Sequence, residues 1–128
     1  MANTTQAFPA ALIRAALWAG VLMFGAVAWF MTQRGTFPTK PQPSAMIIAQ
    51  IGLCIAAVVV AFALRRRAID GPDAQTRATW TLQLWAIGEG AALFGGVLYL
   101  LSGQAQWYGL GLLSMATVFS LVPLPRPA

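Results

Sequence analysis

Four apolar stretches, each close to the length of a membrane crossing, constrain this chain more than any other feature. An α-helix rises about 1.5 Å per residue, so roughly 20 apolar residues cover the hydrocarbon core of a bilayer. Such runs extend from about Ala10 to Met31, Ala45 to Leu64, Ala78 to Leu101 and Ala105 to Val122. The first is interrupted only by Arg14, near its start. The second has no charge, and Gln50 is its one strongly polar residue. The third contains Glu89. The fourth is the shortest and is stopped by Pro123 and Pro125, which cannot continue a helix.

The segments between the runs read as breakers. Gln33 to Ser44 is Pro-rich, Arg65 to Arg77 contains the turn Asp70-Gly71-Pro72-Asp73, and Ser102-Gly103-Gln104 makes a tight hairpin. Short connections place successive helices antiparallel and adjacent. The expected fold is therefore all-α: one domain, residues 1–128, built as an integral membrane bundle of four transmembrane helices. Composition agrees. The chain is 59% hydrophobic and 9% charged, whereas soluble domains average about 25% charged. A water-soluble protein of this size could not bury so much apolar surface, but lipid can cover it.

Basic residues set the expected orientation. With four crossings, Arg14, Arg65, Arg66, Arg67, Arg77 and Arg126 share one side, and only Arg34 and Lys40 lie on the other. The positive-inside rule then puts both termini in the cytoplasm, and the expected location is a bacterial inner (plasma) membrane. The aromatics follow the same division, with Trp29, Phe30, Tyr99, Trp107 and Tyr108 at the outer interface and Trp80 at the inner one. No basic cluster precedes the first run, and it is longer than a signal-peptide core, so it reads as a retained helix.

The inventory excludes much chemistry. The chain has one cysteine, Cys54, and no histidine. That leaves no internal disulfide, no Cys/His set for zinc or haem, and no histidine general base. No nucleophile and base pair up, and no phosphate loop occurs, so no enzyme, metal or cofactor is expected. The net charge of +5 gathers at the ends of apolar runs, where anionic lipid headgroups explain it and nucleic acid need not. Arg65, Arg66 and Arg67 are the densest charge run. They read first as a topology anchor at the headgroups and second as a site for anionic lipid or an acidic partner.

Glu89 is the one sharp chemical feature. It sits about eleven residues from either end of the third run, roughly 15 Å from each interface. An ionised carboxylate there costs several kcal/mol, so Glu89 is expected either to be protonated, which its apolar neighbours favour, or to meet a cation or a water-filled cavity. Counted by depth, Gln50, Cys54, Ser114 and Thr117 lie at or within about a turn of its layer, as possible hydrogen-bond partners. Small residues surround it. Gly88, Gly95 and Gly96, with Ala91 and Ala92, form small-xxx-small pairs that suit close helix packing. Gly20, four residues after Ala16, repeats the pattern on the first helix.

The stretch Ala86-Ile87-Gly88-Glu89-Gly90-Ala91-Ala92-Leu93-Phe94-Gly95-Gly96-Val97-Leu98 resembles the carboxylate-bearing helix of the rotary ATP synthase proteolipid, the c subunit. The preceding loop, from Arg65-Arg66-Arg67 through Pro72 to Arg77, is similar to that family's basic, Pro-containing loop. The resemblance covers residues 45–101 and implies one role, a reversible proton or cation site at Glu89. The run Ile51 to Val58 has one Gly where that family repeats Gly-x-Gly-x-Gly, and two further helices flank the hairpin.

Two functional expectations follow. In the first, the chain is a structural or accessory helix-bundle component of a larger membrane complex, in which Glu89 is a buried hydrogen-bonding group. In the second, Glu89 binds and releases a proton or cation, in a ring or other homo-oligomer. A single acid with no second charged partner is an incomplete relay, which ranks the structural reading first.

Overall fold

The computed structural model describes residues 9–35 and 43–123. Lys40, Pro41, Pro125 and Arg126, with most of the first loop and the Pro-rich tail, lie outside the described residues. Within them the chain forms four helices and no strand: α1 (Ala10–Arg34), α2 (Ser44–Ile69), α3 (Ala74–Ser102) and α4 (Gln106–Leu121).

α1 and α2 turn mainly small residues inward and large apolar residues outward, whereas α3 and α4 bury Leu84, Trp85, Leu98, Met115 and Phe119. On α2 the buried positions are Gln50, Cys54, Ala57, Ala61 and Ala68, a stripe at helical spacing that contains no large aliphatic side chain. On α1 they are Ala10, Val21, Gly25 and Ala28. Leu12, Met23, Trp29, Phe30, Ile48, Ile55, Phe62 and Leu113 are instead exposed. That inversion suits lipid, in which helices associate through close backbone approach and not by hiding hydrocarbon from water. α1, α2 and α3 are each long and apolar enough to cross a membrane. α4 has 16 residues, about 24 Å of helix, which falls short of a hydrocarbon core of about 30 Å.

α3 is the centre of the bundle and touches all three other helices. α2 and α4 pack on it and on each other, while α1 packs principally on α3. Contacts of Phe24 at Gly96 and of Arg14 at Trp85 show that α1 runs parallel to α3. The sequence led us to expect α1 beside α2. They do run in opposite directions, but the connection between them is long enough to let α1 seat against α3, where Gly96 leaves room for the Phe24 ring.

Two ends of α2 and α3 differ from the apolar runs. α2 continues past Leu64 through the three arginines to Ile69, because arginine is a good helix former and cations favour a helix C-terminus. α3 begins at Ala74, with Asp73 as its N-cap: the Thr76 backbone N–H donates to Asp73 Oδ1 at 2.7 Å. This satisfies one of the orphan donors of the first turn. At the opposite end Gly103, with φ of 75°, closes α3, its N–H donating to the Tyr99 carbonyl. Glycine, with no β-carbon, adopts that left-handed cap most readily.

Candidate functional site

The polar groups of α2, α3 and α4 converge at one junction. Gln50, fully buried, points its amide Nε2 at the carbonyl oxygens of Ala91 (3.3 Å) and Trp107 (3.2 Å), with the Cys54 sulfur at 3.4 Å. The Ser114 hydroxyl donates to the Cys54 carbonyl at 3.1 Å, and the Cys54 thiol faces the Leu110 carbonyl at 3.9 Å. Gln50, Cys54 and Ser114 therefore form one interhelical network, but none of them bonds Glu89, the partner that their depth along the helices gave them. Gln50 Oε1 is buried without a partner. Thr117 is not part of the network. Its hydroxyl bonds back to the Leu113 carbonyl within α4, beside an open apolar groove of about 330 Å³ between α2 and α4.

Glycines make this junction possible. A β-carbon at Gly95 would collide with the Trp107 carbonyl, and one at Gly111 would lie 2.7 Å from the Ala91 carbonyl oxygen. The backbones of α3 and α4 thus cross almost in contact, and the Gln50 amide bridges the two carbonyls that the crossing brings together. Gly88 sits against Val118 and Gly96 against Phe24, so Gly88, Gly95 and Gly96 are all at helix contacts. Gly20 is exposed, and a β-carbon there would meet nothing within 4 Å. Val21, Gly25 and Ala28 form the contacting stripe of α1 instead.

Glu89 stands apart from the junction. It lies one position off the buried Gly88 face, is half-buried, and makes no hydrogen bond or ion pair among the described residues. Its i−4 neighbour is Trp85, its i+3 neighbour Ala92 and its i+7 neighbour Gly96, all buried. Because Gly96 and Trp85 are the residues met by α1, Glu89 is on the flank of α3 shared with α1. One turn nearer the α3 N-terminus, the Arg14 guanidinium lies 5.8 Å from the Trp85 ring centre and 5.1 Å from that of Phe119. The charge is held over aromatic faces there.

Two side chains that carry interhelical hydrogen bonds were not singled out for that role by the sequence. Trp85 is fully buried, stacks on Phe119 at 5.2 Å, and donates its indole N–H to the Val122 carbonyl at 2.7 Å. That bond satisfies a carbonyl where α4 stops inside the bundle. The Tyr108 hydroxyl donates to the Val21 carbonyl at 2.7 Å, and Gly25 leaves the space its ring occupies. A tryptophan away from the expected interfaces was the signal for the first. A tyrosine set among interface aromatics concealed the second.

The three arginines and the α2–α3 turn form a second polar region. Arg66, Arg67, Asp70, Gly71, Thr76 and Trp80 line a cleft of about 470 Å³. The Arg67 guanidinium sits 5.0 Å over the Trp80 ring, and Arg77 donates to the Gly71 carbonyl at 2.8 Å. Arg66 and Asp70 have the spacing of a helical ion pair but form none; Asp70 instead closes α2 through its backbone N–H, which donates to the Arg66 carbonyl at 2.7 Å. No group of three or more metal-ligating side chains occurs among the described residues. No family model, no curated protein and no solved structure matches the chain.

Proposed function

We propose that this chain is a structural or accessory component of a larger membrane assembly, with the Glu89 flank as its contact surface. One observation carries this reading. The interhelical polar contacts of Gln50, Ser114, Trp85 and Tyr108 are made without Glu89, whose carboxyl group stays half-buried and unpaired. A polar group at that depth calls for a partner, and the described residues provide none. A transmembrane segment of another chain, seated against α3 and α1, would supply it.

In this reading α4 is the fourth crossing. Its length alone is marginal, but it follows α3 from the level of Gly95 to that of Trp85, and the Trp85 indole satisfies its last buried carbonyl. The termini are then on the arginine-rich, cytoplasmic side of an inner membrane. Reporter fusions at the two ends test this: a C-terminal reporter active only outside the cytoplasm would leave three crossings.

A second reading has its own support. A carboxyl group with no hydrogen bond among the described residues leaves both its oxygens open to a ligand, and the likeness of residues 45–101 to the rotary proteolipid implies that this ligand is a proton or cation. The two readings separate experimentally. In the accessory reading the native protein leaves the membrane in mild detergent as part of a larger complex. Glu89→Gln, which keeps size and a donor, preserves that complex, and Glu89→Leu dissolves it. A monomer in mild detergent would sink this reading. A symmetric homo-oligomer whose Glu89 reacts with a carbodiimide, and is protected by sodium or acid, would establish the second.

A further inference from the structure

We propose that the cleft at the α2–α3 turn is a binding site for a singly charged phosphodiester, presented by the headgroup of an anionic phospholipid. Its chemistry begins with two guanidiniums whose N–H donors are uncommitted among the described residues. The side chains of Arg66 and Arg67 make no hydrogen bond or ion pair among the described residues, whereas the neighbouring Arg77 is committed to the Gly71 carbonyl. The Asp73 carboxylate is likewise committed, to the Thr76 N–H. Arg67 is held in place by the Trp80 ring beneath it, which orients the guanidinium without consuming its N–H donors. Such a planar fork matches two phosphate oxygens at once.

Position and charge narrow the ligand. α2 and α3 are both of membrane-crossing length, and the cleft lies where the first ends and the second begins. That level is the headgroup layer, and tryptophan is enriched there. The charged side chains lining the cleft are Arg66, Arg67 and Asp70, one net positive charge, which balances a phosphodiester monoanion better than a phosphate dianion. The opening of about 470 Å³ leaves space for the ester substituents. Arg65 is outside this lining and serves as the internal control. The proposal is independent of what Glu89 does.

Native mass spectrometry of the full-length protein in a neutral detergent, with phosphatidylglycerol or phosphatidylcholine added, tests it. The expected result is preferential retention of phosphatidylglycerol, reduced about tenfold or more by the double substitution Arg66→Gln, Arg67→Gln, since headgroup attraction is shared between the two cations. Arg65→Gln is expected to leave retention unchanged, and circular dichroism should report the same helicity in all three proteins. If soluble glycerol phosphate diesters displace the lipid at equal concentration, the site belongs to a soluble phosphodiester; if they fail to, it belongs to the lipid. Undiminished retention in the double variant, or an equal loss in Arg65→Gln, would overturn the proposal, the latter by showing only diffuse attraction to positive charge.

Discussion

The carbonyl oxygen of Trp107 occupies the place that a β-carbon at Gly95 would need. Gly95 therefore sets how closely α3 and α4 approach, and the approach brings the Trp107 carbonyl within reach of Gln50. Gly95→Ala is expected to destabilise the bundle by about 1–3 kcal/mol through overpacking, since the obstructing atom is backbone and cannot rotate away. Gly90→Ala is the matched control: a β-carbon there meets nothing within 4 Å, and alanine should gain about 0.5–1 kcal/mol of helix stability. Denaturation in mixed micelles measures both. Equal effects at the two sites would refute the crossing argument.

Gln50 bridges two carbonyls that already accept within their own helices, so its loss orphans neither. Interhelical hydrogen bonds in membranes are worth about 0.6–2 kcal/mol, and the unpartnered Oε1 offsets part of that gain. Gln50→Met, which keeps the volume, is expected to cost about 1 kcal/mol or less. Gln50→Ala adds a cavity and should cost about 2–4 kcal/mol. The same unfolding titration decides the matter: a larger loss in the methionine variant would mean that hydrogen bonding, and not filled space, holds the junction.

Apolar run length and the breaker residues between runs made the number of helices readable from the sequence, because both are local. The common depth of Gln50, Cys54 and Ser114 was readable as well, by counting along each helix, but their partners were not: they bond backbone carbonyls and one another, and not Glu89. Rotation about the helix axis was not. It decides that Glu89 points off the buried face while Gly88 points into it, and it exchanges Gly20 for Gly25 as the contact on α1. Those angles depend on which helix sits beside which, and a single sequence does not state that. Likewise α2 and α3 outrun their apolar runs, because helix capping and helix propensity continue beyond the span where hydropathy stops.

α1 is the helix whose removal should disturb the rest least, since it packs principally on α3. Its slot depends on Gly25, where a side chain would collide with the Tyr108 ring. Gly25→Leu should therefore release α1 while α2, α3 and α4 stay together. With a protease site placed in the α1–α2 connection, the cut native protein is expected to co-purify with its N-terminal fragment, and the Gly25→Leu protein to lose it. Retention of the fragment in the variant would show that α1 is held by contacts other than this slot.

The α3 N-terminus should respond to acid through Asp73. The Thr76 backbone N–H beside it, and next the Thr76 hydroxyl, hold its carboxyl below the ordinary value of 3.8. A group depressed on folding contributes stability above its unfolded value, and that contribution fades as pH falls through the lower folded one. Protection of the first-turn amides of α3 should therefore hold from neutral pH down to about pH 4 and decline below it. Asp73→Asn keeps a neutral acceptor and should remove the decline, with weaker protection throughout. Amide exchange compared between the two proteins at each pH reads the difference directly. Parallel loss of protection in both would mean that the acid response comes from elsewhere in the turn.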